Sequence, residues 1–315
     1  MMNLTGKAKS GLILYLVMAG ILAITLAAPV NAQSTVDPYT IGLWHLDEIN
    51  PNGYQEITPD ATGINSGIVG VDTSNMLVEG KFDKALYFDG HNFVYVPISF
   101  LVGFPPSPQP IYIPISPNLD IQEEIKIEAW INVQGYTDAA YNNIVVKCTR
   151  DEPNWESTSR LVGLAVRAGA DEDGIEVPQG TLSGFVTTDS GGFNEIVTTT
   201  PVITLNQWTH VTFERTATGM HLYVNGYEQT IRAIHGTQNP QGSLRNGTEV
   251  YFGHDSKVII DEVKISNLDP DTEVAESAID IGPNLMILVI VVSAIFAAAW
   301  LLRRAIQMMV FRSKP

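Results

Sequence analysis

Cys148 is alone among 315 residues, so no intrachain disulfide can form and the fold has to stand on a packed core. Helical periodicity is missing too: no amphipathic helix can be read ahead of a C-terminal apolar run. There is no Gly-x-Ser-x-Gly elbow, no His-Glu-x-x-His and no phosphate-binding loop, so nothing in the sequence points to the chemistry those motifs carry. Basic residues are scarce, with 18 Lys and Arg against 34 Asp and Glu. Six of the 18 (Lys7, Lys9, Arg303, Arg304, Arg312 and Lys314) lie at the two ends, which leaves 12 facing all 34 acids, a net charge of −22. Such a surface repels nucleic acid and anionic lipid. It suits cation binding or a saline exterior, and equally simple solubility.

Long apolar runs occur only at the ends. Lys7 and Lys9 precede an apolar stretch from Gly11 to Ala28, and Val30-Asn-Ala32 supplies small residues where a signal peptidase reads. Residues 1–32 read as a signal peptide cut before Gln33, with a retained signal anchor as the alternative. Residues 285–302 carry no charge, cover roughly 27 Å as a helix, end beside Trp300 and are followed by basic residues only. They read as a transmembrane helix with a cytoplasmic tail, 303–315. Residues 33–267 then form an ectodomain on the outer side of a cell membrane, and 268–284 an acidic stalk.

Within the ectodomain the signal is β. Glu124–Val133 alternates strictly, with Ile125, Ile127, Ala129, Ile131 and Val133 on one side. About fourteen such runs are separated by turn signals, and Asn225-Gly226 after His-Leu-Tyr-Val predicts a two-residue hairpin. Many short strands at even spacing predict an all-β, two-sheet antiparallel jelly-roll sandwich.

Seven segments come in an order that resembles laminin-G-like jelly-roll domains of the concanavalin A-like lectin/glucanase superfamily. They are Leu43–Glu48, Asp60–Gly67, Gly80–Gly90, Glu124–Val133, Asn206–Val211, Leu222–Gly226 and Ile260–Ile265. The resemblance implies two curved sheets packed face to face. It departs at one place, where Tyr95-Val-Pro-Ile-Ser99 is nearly repeated by Tyr112-Ile-Pro-Ile-Ser116 around a Pro-rich stretch. That reads as an inserted hairpin. Its apolar residues Phe100, Leu101 and Phe104 are candidates for a partner contact, or for folding back over the sandwich.

Alternation puts Ile259, Asp261, Val263 and Ile265 on one side of a strand, so Asp261 is a carboxylate among aliphatics that needs a partner. Related sandwiches often hold calcium there, and the resemblance implies a structural calcium ion at Asp261 with Asp47 and Asp60. The alternative is that Asp261 accepts backbone hydrogen bonds. Trp155, Tyr136 and Tyr141 lie in loop-like stretches beside asparagines and are candidate sugar-binding aromatics. Glucanases of this superfamily place two catalytic carboxylates on one strand. Glu124 and Glu128 share a face here, but Lys126 between them would depress both pKa values, the wrong direction for a general acid. The expectation is a non-catalytic surface module that binds a glycan or a protein. The alternatives are a glycosidase-like hydrolase and a structural envelope component.

Overall fold

A computed structural model describes residues 33–52, 55–70, 73–97, 99–102, 111–114, 117–121, 123–148, 160–169, 174–190, 192–244 and 249–268. Among them an eight-stranded and a ten-stranded antiparallel sheet pack face to face. The predicted two-sheet sandwich is the fold. Residues up to Asn267 form one compact unit and 268–315 a second, of which only Leu268 is described. The proposed signal, membrane span and tail, and the stalk after Leu268, lie outside the described residues. Among the described residues no helix is long and apolar enough to cross a membrane.

The strand Ile125–Gly135 lies at the centre of the eight-stranded sheet, between Trp208–Arg215 and Lys257–Ser266. Its alternating residues Ile125, Ile127, Ala129, Ile131 and Val133 are buried between the sheets. Each isoleucine or valine side chain withdrawn from water this way contributes about 1.5–3 kcal/mol. Beyond Lys257–Ser266 come Lys84–Asp89 and Leu77–Glu79, and Thr40–Trp44 pairs with the far half of Lys257–Ser266. On the other side Met220–Val224 and Tyr227–Glu228 complete the sheet. They are joined by Asn225 and Gly226 at φ 52° and 80°, both left-handed, as the predicted hairpin turn requires.

In the ten-stranded sheet the order is Ile231–His235, Gly192–Thr198, Leu182–Thr188, Arg160–Arg167, Tyr141–Cys148, Val250–Phe252, Phe93–Val96, Gly67–Gly70, Gln55–Thr58 and Asn50–Asn52. The sheets interlock closely: a Cβ on Gly184 would sit 2.2 Å from the Phe213 ring of the opposite sheet. Trp44 and Phe252 meet edge to face at 4.9 Å across the same interface. The inserted hairpin is present as a separate two-stranded sheet, Ser99–Val102 against Ile111–Pro114. Phe100 and Leu101 lie on its first strand, and Phe104 lies outside the described residues.

One sequence expectation is corrected. Asp261 does not share a face with Val263 and Ile265. Trp130 pairs with Asp261 but Glu128 with Lys264, so Glu262 and Val263 together oppose Ala129 in a β-bulge. Glu262 takes a left-handed φ of 55° to make it. The extra residue reverses the alternation. Val258 and Ile260 enter the core before it, Val263 and Ile265 after it, and Asp261 turns to the outer face.

Candidate functional site

Asp261 is fully buried on that outer face, beneath the turn that precedes Lys84–Asp89. Its Oδ2 accepts the backbone N–H of Lys81 at 2.8 Å and of Phe82 at 2.9 Å, while its Oδ1 has no partner. Burial raises its pKa to about 7; the two N–H groups work against this, and the charges of Glu262 and Asp47 add to it. Asp47 Oδ1 accepts Lys84 N–H at 3.0 Å, pinning the other end of the same turn. Asp60 stands apart. Its two oxygens accept N–H groups of Leu43, Thr62, Ile64 and Asn65, and the Thr62 hydroxyl as well.

Among the described residues no three His, Cys, Asp or Glu side chains gather where one metal ion could be held. Asp47, Asp60 and Asp261 therefore do not form one ligand set. Calcium takes six to eight oxygens, and five of the six oxygens on these carboxylates already accept hydrogen bonds. The three carboxylates do not fit the ion, and Asp261 accepts backbone hydrogen bonds as the alternative reading had it.

Glu124 and Glu128, weighed as a catalytic pair, are both committed. Glu124 accepts the Ala217 N–H at 2.8 Å. The Lys126 ammonium lies 3.4 Å from Glu128 and 3.2 Å from Glu214. Burial alone would lower the Lys126 pKa, yet the two carboxylates leave it raised. Beside them Trp130 is covered by Lys81, whose ammonium is 4.4 Å from the ring centroid, and flanked by Phe82 and His210. Around Trp130 the charges on this face of the eight-stranded sheet are paired with one another.

The ten-stranded sheet is different, because its outer face carries a second apolar cluster: Tyr141, Val146, Cys148, Ala165, Phe185 and Tyr251, flanked by Phe93, Tyr95 and Phe193. Set into it is a buried polar network. Glu195 accepts the Tyr141 hydroxyl at 2.8 Å, the Ser183 hydroxyl at 2.6 Å and the Arg167 guanidinium at 3.2 Å. Arg167 reaches it across the intervening strand Leu182–Thr188, its guanidinium 4.2 Å from the Tyr141 ring centroid. Arg167 and Glu195 are both fully buried, and a buried ion pair holds only where further hydrogen bonds support it, as the Tyr141 and Ser183 hydroxyls do for Glu195.

A few residues along the same face lie four rings. Phe93 contacts Tyr95, Tyr251 and His254 at 6.2, 5.7 and 5.4 Å, and Tyr251 contacts Tyr95 and His254 at 6.1 and 5.9 Å. Phe93, Tyr95 and His254 are half-buried. Between the rings and the ion pair stands Asn143, which pairs with Ala165 and so shares its face. Asn143 is buried and its amide oxygen accepts no hydrogen bond.

Of the predicted sugar-binding aromatics, Tyr141 belongs to this face, on a strand and not in a loop. Tyr136 follows the strand Ile125–Gly135 and packs against the core between the sheets; burial raises its pKa. Trp155 lies outside the described residues. Phe93, Arg167, Glu195 and Tyr251 were missed, because each sits in a run that reads simply as strand, whereas Asn143 is one of the asparagines read beside the sugar-binding aromatics. The available signal was charge: Arg167 and Glu195 are opposite charges inside otherwise apolar strands.

The family model described as the concanavalin A-like lectin/glucanases superfamily matches residues 109–269, half of the chain. No curated protein matches it significantly. Similar solved structures include Trypanosoma rangeli sialidase, 12% identical over 84% of this chain at a TM-score of 0.46. This chain spans 38% of that sialidase. Domain 4 of a GH43 extracellular arabinanase from Geobacillus stearothermophilus, in complex with arabinotriose, is 15% identical over 74% of this chain and 95% of its own, at 0.45. The receptor-binding domain of botulinum neurotoxin type G is 12% identical over 76% and 50%, at 0.42.

Proposed function

Because the chain belongs to the concanavalin A-like lectin/glucanases superfamily, we propose that it is a non-catalytic recognition module that binds a glycan through the outer face of its ten-stranded sheet. The observation that carries this reading is the unpartnered Asn143 oxygen set between the Phe93–Tyr95–Tyr251–His254 rings and the Arg167–Glu195 pair. Pyranose and furanose rings present C–H faces that stack on aromatic rings, and hydroxyls that need fixed acceptors. Asn143 offers such an acceptor, already stripped of water. The rest of the proposal comes from the sequence: a cleaved leader, a membrane span at 285–302 and an extracellular domain, with Phe100, Leu101 and Phe104 as candidate contacts for a surface protein.

The test is a glycan array probed with the full chain, followed by titration of any glycan bound. Phe93→Ala and Asn143→Ala are expected to weaken binding at least tenfold. Asn143→Ala removes an unsatisfied buried group, so its melting temperature should not fall. Binding that neither variant weakens would overturn the site. Release of reducing sugar from the same glycans would replace recognition by hydrolysis.

A further inference from the structure

The outer face of the eight-stranded sheet carries one row unlike its neighbours. Tyr87, Ile259, Asn132 and Trp208 oppose one another in register across four adjacent strands. Phe88, Ile260 and Ile131, next to them in sequence, enter the core, so the row points outward, and each of its four side chains is half-buried. Neighbouring strands lie about 4.8 Å apart, so the row spans about 14 Å from Tyr87 to Trp208.

The row holds donors with no acceptor in the protein. Gln134 Nε2 donates to the Asn132 carbonyl at 3.3 Å and to its amide oxygen at 2.8 Å, which fixes the amide and leaves its NH2 as a donor. Among the described residues that NH2, the Trp208 indole N–H and the Tyr87 hydroxyl have no hydrogen-bond partner. The approach to Trp208 is held as well, because Asn206 takes a φ of 59° and donates its N–H to the Val133 carbonyl at 2.8 Å. None of the four residues is charged. In the next row Lys81 covers Trp130, and beyond it Lys126 is paired with Glu128 and Glu214.

We propose that this row is a second glycan-binding strip, which takes a neutral oligosaccharide laid across the strands. The ring at each end offers a face to sugar C–H groups, and the amide between them donates to sugar hydroxyls. The strip is about 14 Å long and about 7 Å wide, one same-face repeat along a strand. A stable protein partner needs about 800 Å² and would have to spread over charges that already pair with one another. An anionic chain finds no cation in the row, and the chain's surplus of acid repels it. A narrow, uncharged chain fits both limits. The outer face of the ten-stranded sheet points the opposite way, so the two faces take two separate glycan chains. This strip goes beyond the site proposed there and shares no residue with it.

The full chain carrying Phe93→Ala and Asn143→Ala, which weaken the first site, is titrated by calorimetry with cellotetraose, xylotetraose, mannotetraose and maltotetraose. At least one is expected to bind, and adding Trp208→Ala or Asn132→Ala should weaken it by about tenfold or more. Asn132→Ala leaves both rings and the strand pairing in place, so it reads the strip even if Trp208→Ala loosens the sheet. Tetragalacturonate should not bind. Failure of all four neutral probes, binding that neither added variant weakens, or preference for tetragalacturonate would overturn the strip. The same titrations on the otherwise unchanged chain separate the two sites. Binding abolished by Phe93→Ala and Asn143→Ala would overturn the strip and keep the first site. Binding weakened only by Trp208→Ala and Asn132→Ala would uphold the strip and overturn the first.

Discussion

Asp261 stands directly opposite Trp130 on neighbouring strands, and the turn that caps them both is tied to the carboxylate. Phe82 donates its N–H to Asp261 and sets its ring edge-on to Trp130, 6.1 Å between centroids. Removing the carboxylate would leave two half-buried N–H groups without acceptors. Asp261→Ala is expected to cost about 2–4 kcal/mol, read as a fall in melting temperature, whereas Asp261→Asn retains an acceptor and should cost less.

The same carboxyl sets a pH dependence. Its folded pKa of about 7 exceeds the ordinary unfolded value of about 3.9, so between those values the folded state holds the proton that the unfolded state has lost. Stability from this group is therefore greatest below pH ~4, declines as pH rises, and levels off above pH ~7. Asp261→Asn should remove that decline from the thermal melting profile. A profile of unchanged slope would contradict the buried carboxyl.

Lys147 should act at the other end of the scale. Burial lowers its pKa to about 8 despite the nearby Asp120, and its ammonium donates to the Leu119 carbonyl. The unfolded state binds the proton more tightly, so stability should rise from pH ~8 to pH ~10.4. Lys147→Met is expected to abolish that rise in a urea titration repeated across the range.

Calcium is open to the same kind of measurement. With five of six oxygens on Asp47, Asp60 and Asp261 already accepting hydrogen bonds, calcium and a chelator should give equal melting temperatures. A calcium-dependent rise lost in Asp261→Ala would restore the ion.

Glu195→Gln would strand the buried Arg167. The expected loss is about 3–5 kcal/mol by chemical denaturation, with partial recovery when Arg167→Met is added. A simple sum of the two losses would show that the pair is not coupled.

The sandwich was legible because its core strands alternate: Ile125 to Val133 declares one face, and Asn225-Gly226 declares a turn. Asp261 was misplaced for an equally local reason. A bulge at Glu262 shifts the phase by one residue, and no propensity flags a glutamate at positive φ. The outer face of the ten-stranded sheet was hidden differently. Tyr141–Cys148 and Leu182–Thr188 are buried on both sides, so they do not alternate, and continuous burial says nothing of which residues share a face. The Arg167–Glu195 pair depends on register across three strands, which a linear reading does not supply.

The strand Lys257–Ser266 lies inside its sheet, held by Ile125–Gly135 along its length on one side and by Lys84–Asp89 and Thr40–Trp44 on the other. The chain leaves the domain directly from its end. Tension applied at Asn267 while the domain grips a target would run along this strand and load its rungs side by side in shear, with many breaking together. Had the chain left from an edge strand such as Tyr227–Glu228, the same tension could have peeled rungs away one at a time. Pulled from Asn267, the domain would present a strand that is paired on both sides rather than one at an edge.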